Sequence, residues 1–426
     1  MRALLMTLGT RGDVQPFLAL AQGLQRAGHE AVVLAPHRFA DFAAAHSVPF
    51  AGVDDGPMAL MDDENAGALL DGGLGARLRL MRTMPRMFTR VLADSWSVAR
   101  DCGADVVVHN GQIIAGQHVA EALGIPAVLA LPIPMYVPTR EFPWPGVELP
   151  AALPHALNRL TFAGMRGPAA MFGAGVDRWR RDALDLPRRR GRHDPTRRPD
   201  GGPAPVLHAY SPTVLPRPAD WPTESVTTGY WELAGAPAPL PDTLCGFIAD
   251  GSAPVFVGFG SMAGSDPART TRTVLDAARR AGCRLVVGAG WGGLDVRDLP
   301  DGVLAVRDVD YRALFPHMAA VVHHGGAGTT GVAFAAGRPQ LVCPFVADQP
   351  FWGRLVQHLG VGPAPLPQNR LSADALAAAL RELVSSPRLS RAAGRIGEQV
   401  RAEDGVGVAV RALERVVAGP PGSGPL

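Results

Sequence analysis

Three short stretches carry side chains whose type and spacing suit the handling of a charged leaving group. The first is His323-His324-Gly325-Gly326-Ala327-Gly328-Thr329-Thr330. It follows an apolar run with strand character, Ala320–His323, and opens a helix. Glycines let the backbone come close to an oxyanion, and a helix N-terminus supplies unpaired N–H groups and partial positive charge. With Thr hydroxyls and an imidazole added, the stretch can cradle a diphosphate. A tight turn with a capping Thr would explain a lone glycine pair, but two His, three Gly and two Thr together favour a site. The second stretch, Gly258-Phe259-Gly260-Ser261, also ends an apolar strand, and in a parallel sheet both turns emerge at one edge. The third is Asp348-Gln349, just beyond Leu341–Cys343. A carboxylate beside an amide accepts from and donates to vicinal hydroxyls, which suits a sugar ring; a helix N-cap at Asp348 explains the same residue equally well.

The composition narrows the chemistry further. All 41 Lys+Arg residues are arginine. Without lysine there is neither a Walker A phosphate loop nor Schiff-base chemistry through a lysine amine. A net charge of +2 on 426 residues gives no general attraction to nucleic acid or membrane. Cys102, Cys245, Cys283 and Cys343 are scattered and form no CxxC or disulfide framework, which fits free thiols in a reducing compartment. The apolar start, Met1 to Leu8, is too short for a signal peptide, and no apolar run reaches the ~18 residues of a membrane span. A cytoplasmic location without integral membrane contact is expected.

The elements that must position these residues alternate strand and helix. Strands are expected at Ala3–Leu8, Ala31–Ala35, Ala104–His109 and Ala127–Leu131, with helices at Phe17–Ala27 and Ala115–Leu123. The pattern restarts with strands at Val255–Phe259, Arg284–Gly288, Val303–Val306, Ala320–His323 and Leu341–Cys343. Helices are expected at Thr270–Ala281, Thr330–Ala336, Leu371–Val384 and over most of Arg388–Val417. Continuous apolar strands alternating with helices imply parallel sheets covered on both faces. The class is α/β: residues 1–215 and 216–400 as two Rossmann-like domains facing a cleft, then a C-terminal helix and tail over 401–426. Insertions at 57–100 and 133–180 carry Met, Phe, Trp and Arg at helical spacing. The Arg-rich tract at 187–205 reads as a mobile surface loop.

Together these residues resemble the nucleotide-sugar-dependent glycosyltransferases of the GT-B fold, family 1 type, and among them the sterol glucosyltransferases and the actinobacterial glycopeptide or macrolide glycosyltransferases. Gly9-Thr10-Arg11-Gly12-Asp13-Val14-Gln15-Pro16 is similar to their N-terminal signature, and the three stretches above follow their donor-domain signature in order. The resemblance implies donor contacts from Gly12, Ser261, Val309, His324, Gly326, Gly328, Thr329, Asp348 and Gln349. His324 would meet the phosphate, and the backbone near Val309 would read the base. The acidic residue that holds the ribose in plant relatives falls on Val332, and their base-stacking tryptophan on Val306. A UDP- or a dTDP-sugar remains possible as co-substrate, and the resemblance implies neither a cofactor nor a metal.

The acceptor hydroxyl must lose a proton as it attacks the anomeric carbon. The plant catalytic His falls on Asp13, and its orienting Asp on Asn110. The two changes make sense as a pair, because a carboxylate base beside a second carboxylate would be neutralised by repulsion, whereas beside an amide it stays ionised. Without the resemblance, Asp13 could equally cap the helix that follows. The implied reaction is an in-line displacement with inversion onto a lipophilic small molecule such as a polyketide, macrolide or sterol. Asn110, Met84, Phe88, Pro134 and Trp144 are candidate acceptor contacts. A nucleotide-sugar epimerase of the same fold and a non-catalytic ligand-binding homologue are the alternatives. Asp308-Val309-Asp310 has the spacing of a metal-binding DxD but reads as a solvated turn, and His317 and His323 lack metal-ligand company.

Overall fold

The computed structural model describes residues 1–55, 74–147, 149, 154–188, 193–260, 266–289 and 299–419; for 74–87 and 166–171 it describes the backbone alone. The chain divides into two compact units. One comprises Met1–Trp144, Leu149–Ala234 and Asp404–Leu426, the other Pro145–Glu148 and Gly235–Glu403.

The first unit is built on seven parallel strands: β1 (Arg2–Met6), β2 (Glu30–Pro36), β3 (Phe50–Val53), β4 (Val106–His109), β5 (Ala127–Leu131), β6 (Val206–His208) and β7 (Ser225–Thr227), in the order β3-β2-β1-β4-β5-β6-β7. The central strands read as unbroken apolar runs because helices cover both faces. On one face the helix Arg11–Arg26 packs Phe17, Leu18 and Leu24 with Val406, Val410 and Leu413 of the helix Gly405–Ala418. That approach is close: a Cβ on Gly23 would lie 2.1 Å from Val406 Cγ1. On the other face Val91, Val119, Val176 and Trp179 come from the helices Leu74–Cys102, Ala115–Leu123 and Arg166–Ala183.

A buried arginine organises this second face. Arg180 is fully buried and donates to Glu121 at 2.7 and 3.0 Å, to His118 at 2.8 Å and to the Pro187 carbonyl at 2.8 Å. A buried charge needs such pairing. Gln117 Nε2 in turn donates to the His193 carbonyl at 2.7 Å. The Arg-rich tract, expected to be a mobile surface loop, is therefore tied down at Pro187 by Arg180 and at His193 by Gln117, which is distant in sequence.

The second unit has five parallel strands: β8 (Val255–Gly258), β9 (Leu285–Gly288), β10 (Val303–Val306), β11 (Ala320–His323) and β12 (Gln340–Val342), in the order β10-β9-β8-β11-β12. Val274 of the helix Pro267–Ala281 and Leu376 and Leu380 of the helix Ala373–Ser385 cover one face; Leu314, Phe315 and Met318 cover the other. Several of its helices start on side-chain caps: Asp266 accepts from Arg269 N–H, Ser372 from Ala375 N–H and Ser386 from Leu389 N–H.

In each sheet the chain starts in the middle, winds outward one way, then returns and winds the other way. The order reverses between β1 and β4 and again between β8 and β11. Loops leaving the carboxyl ends of such a strand pair diverge, and the crevice they leave is where open α/β sheets place ligands.

Candidate active site

The switch point of the first sheet brings the loop after β1 against the loop after β4. Gly9 has φ +135°, and a Cβ there would lie 2.2 Å from Asp13 Oδ2, so only glycine lets the Asp13 carboxylate fold back onto the loop. Asp13 Oδ2 accepts from the Thr10 N–H at 2.8 Å and the Thr10 hydroxyl at 3.1 Å, while Oδ1 accepts from Gln112 Nε2 at 3.3 Å. The bond from the Thr10 N–H is the N3-to-N-cap arm of a capping box, so Asp13 does serve its helix. It also remains partly exposed. Pro16 lies inside the same helix and has no N–H to give the Gly12 carbonyl, which is left without its intrahelical partner beside Asp13.

Asn110, expected as the uncharged neighbour of Asp13, works differently. Its amide donates to Thr7 Oγ1 at 2.9 Å and to the Leu8 carbonyl at 2.7 Å. Its Oδ1 accepts from the N–H groups of Leu8, Gln112 and Ile113. Both amide hydrogens are thus engaged, and the side chain is buried. Asn110 stitches the two loops together, and the amide that reaches Asp13 is that of Gln112.

The switch point of the second sheet places the turn after β8 against the turn after β11. His324 lies between two glycines: a Cβ on Gly260, whose φ is +63°, would come 3.0 Å from its Cε1, and a Cβ on Gly326 would come 2.5 Å from its Nε2. Burial pushes the His324 pKa down to about 4, so the imidazole is neutral at pH 7. Its Nδ1 is buried and has no hydrogen-bond partner among the described residues. The neighbouring His323 plays a structural part. It is fully buried, with Nε2 3.0 Å from Gln340 Oε1, and its Nδ1 accepts from the Gly325 N–H at 3.1 Å. Burial, with the adjacent His324 contributing, holds its pKa near 3.

The helix Ala327–Ala335 begins directly after this turn, with Gly326 as N-cap. Its first N–H groups, on Ala327, Gly328 and Thr329, lie ahead of the first intrahelical bond, which Thr330 makes to the Gly326 carbonyl at 3.0 Å. Gly328 is exposed, with open space where a side chain would be, and Thr329 is half-buried. Gly325, at φ +94°, lets Val342 and the Gln349 carbonyl press against the turn.

Asp348 stands at the N-cap of the helix Gln349–His358, but its side chain makes no capping bond. Instead Oδ2 accepts from the Trp352 indole N–H at 2.8 Å. Desolvation raises the Asp348 pKa, and the indole bond acts against that shift. Gln349 is buried and its Oε1 accepts from the N–H groups of Phe345 at 2.7 Å and Val346 at 3.3 Å, so its carbonyl end shapes the loop before it. Val309 packs against the apolar cluster beside β10. Asp310, the second acid of the DxD spacing, caps the helix Tyr311–Leu314 and pairs with Arg312 at 2.8 Å. His317 lies in a one-turn 3-10 helix, and no His/Cys/Asp/Glu group among the described residues has a metal-holding arrangement.

Gly12 is exposed in the first turn of its helix. Phe88 meets Phe172 with ring centroids 4.0 Å apart, and Pro134 is buried. The Trp144 N–H donates to Thr161 Oγ1 at 2.7 Å, while its indole Nε1 is buried with no partner among the described residues. Ser261 and the side chain of Met84 lie outside the described residues. A cavity of about 570 Å³ in the first unit, lined by Ile125, Pro126, Arg197, Pro205 and Arg415, sits at the opposite, amino edge of the sheet and contains none of these residues.

Residues 3–140 match the glycosyltransferase family 28 N-terminal domain, and residues 272–414 match the erythromycin biosynthesis protein CIII-like C-terminal domain. Over 97% of its length the chain is 32% identical to a sterol 3-beta-glucosyltransferase of Neosartorya fischeri, and it spans 29% of that longer relative. The crystal structure of the glycotransferase of kitacinnamycin matches with a TM-score of 0.74 at 17% identity, covering 98% of this chain and 99% of that one. The glycosyltransferase VinC, solved in complex with DTDP, matches with a TM-score of 0.63 at 23% identity, covering 98% and 100%. At such identities the two structures speak for the fold alone. By its N-terminal and C-terminal domain matches, which together span most of the chain, and its pair of parallel sheets, the chain belongs to the GT-B fold glycosyltransferases.

Proposed function

We propose that this chain is an inverting glycosyltransferase that moves a hexose or deoxyhexose from a UDP- or dTDP-sugar to a hydroxyl of a lipophilic small molecule, with Asp13 as general base. The observation that carries the reading is a partly exposed carboxylate, held by Thr10 and Gln112, at the switch point of the first sheet. Asp13 takes the proton of the acceptor hydroxyl as its oxygen forms a bond to the anomeric carbon. The bond from that carbon to the diphosphate breaks on the opposite side, which inverts the anomeric configuration. The departing diphosphate keeps the electron pair and is met by His324, the Thr329 hydroxyl and the N–H groups that open the helix Ala327–Ala335.

Two features support the donor half. A neutral His324 keeps one N–H to give a phosphate oxygen, and its buried Nδ1 has no hydrogen-bond partner among the described residues. Asp348 and Gln349 sit beyond β12, where they can address sugar hydroxyls. The acceptor class rests on the sterol glucosyltransferase relative and on the aromatic and aliphatic insertions of the first unit. The epimerase and binding-only alternatives draw no support from the matched families. The test is product analysis: UDP- and dTDP-hexoses crossed with sterol, macrolide and polyketide acceptors, read by mass spectrometry and by the anomeric proton coupling. A glycoside of inverted anomeric configuration is expected. Sugar returned as an altered nucleotide sugar, with no glycoside from any acceptor, would refute the proposal.

A further inference from the structure

We infer that Gln112 is the positioning residue for the Asp13 carboxylate, holding it in place and in its charged form; this rests on the reading of Asp13 as the base. A carboxylate on a helix can turn about its own axis, and one bonded at a single oxygen still swings. Here Oδ2 is held by Thr10 and Oδ1 by Gln112 Nε2, so the plane of the group is fixed from two loops. The Gln112 backbone is itself held on both sides. Its N–H and that of Ile113 donate to Asn110 Oδ1, and the Tyr136 hydroxyl donates to the Gly111 carbonyl at 2.8 Å. Gly111 is required for that last contact, because a Cβ there would lie 2.3 Å from the Tyr136 ring.

The choice of an amide follows from charge. A cation at residue 112 would stabilise the carboxylate so strongly that it would be a poor proton acceptor, and a second carboxylate would repel it and raise its proton affinity. A neutral N–H donor orients the group with the least cost to its basicity. Asn110 cannot do this, since both its amide hydrogens are engaged elsewhere. Gln112 is exposed, so its replacement leaves the core intact.

The experiment compares kcat/KM against pH for the wild-type chain, Gln112→Ala, Gln112→Glu and Asp13→Asn, using a UDP- or dTDP-hexose and a sterol or other turned-over acceptor, with donor affinity and thermal melting measured alongside. Gln112→Ala is expected to lower kcat about 5- to 10-fold, the worth of one hydrogen bond, with donor affinity unchanged within twofold. Gln112→Glu should move the acid limb of the profile upward by roughly one pH unit through like-charge repulsion. If Asp13→Asn is inactive but Gln112→Ala keeps its rate and Gln112→Glu keeps its profile, the positioning role is overturned while the assignment of the base stands. If Asp13→Asn remains active, the assignment of the base fails and the role of Gln112 falls with it.

Discussion

The Cα of Gly9 lies directly under the carboxylate of Asp13, close enough that a methyl group on Gly9 would sit 2.2 Å from Oδ2. That contact, with φ at +135°, leaves no room for a side chain at Gly9. Gly9→Ala should lower stability by about 1–3 kcal/mol, because the backbone conformation is disfavoured for any L side chain, and should displace Asp13. Thermal melting and turnover measured together check this; a Gly9→Ala chain with wild-type values for both would contradict it.

His324 is predicted to act in donor binding. A hydrogen bond to a charged group is worth about 1.5–3 kcal/mol, so His324→Ala should weaken binding of UDP or dTDP roughly 10- to 100-fold by calorimetry. Gly326→Ala should produce a similar loss without removing the imidazole, since the new methyl would sit 2.5 Å from Nε2 and push the ring aside.

Trp352→Phe removes the indole N–H from Asp348 but keeps most of the apolar bulk. The buried carboxylate then loses a bond that favours its ionised form. Donor KM should rise about 5- to 10-fold, with little change in affinity for the free nucleotide diphosphate, because the lost order concerns the sugar end. Equal losses for sugar nucleotide and free nucleotide would contradict the assignment of Asp348 to the sugar.

Acid should begin to destabilise the chain below about pH 6.5, before the carboxylates titrate. Burial lowers the pKa of His109 and His324 to about 4 and of His208 and His323 to about 3, from an ordinary value of 6.5. Between those values the unfolded chain binds protons that the folded chain does not. Stability is therefore complete above pH 6.5 and falls as the pH drops toward 4, by up to about 3 kcal/mol for each such histidine. Melting temperatures across pH 4–7 test the sign: a flat profile would contradict it.

Much of the frame was legible because the central strands are unbroken apolar runs. Ala115–Leu123, Ala127–Leu131, Val303–Val306 and Ala320–His323 lie where their patterns place them. β3, β6 and β7 were not legible. They have three or four residues each and lie toward the rims of the sheet, where pairing with a neighbour rather than an apolar run decides their conformation. The helix after β1 starts at Arg11 rather than Phe17, since Thr10 and Asp13 cap it ahead of its apolar stretch. Arg388–Val417 divides at Asp404, whose side chain accepts from Gly407 N–H and starts a new helix.

The candidate site was legible where chemistry and spacing coincide, as at Asp13, His324 and Asp348. Its supporting residues were not. Gln112, Tyr136, Gln340 and Trp352 are ordinary residue types whose partners are set by strand order or helix geometry. Only the adjacency of β1 and β4 brings Gln112 to Asp13, and only that of β11 and β12 brings Gln340 to His323. The Asp348–Trp352 pair, four residues apart, was the one with a local signal, because that spacing joins neighbours on a helix face.

The most direct test of the account is turnover by Asp13→Asn, an isosteric change that removes the proton-accepting charge, measured beside calorimetric binding of UDP and dTDP. Asp13→Asn is expected to lose at least about 100-fold in kcat, in keeping with removal of a general base, with nucleotide affinity unchanged within twofold. Turnover within a few-fold of wild type, at unchanged nucleotide affinity, would contradict it.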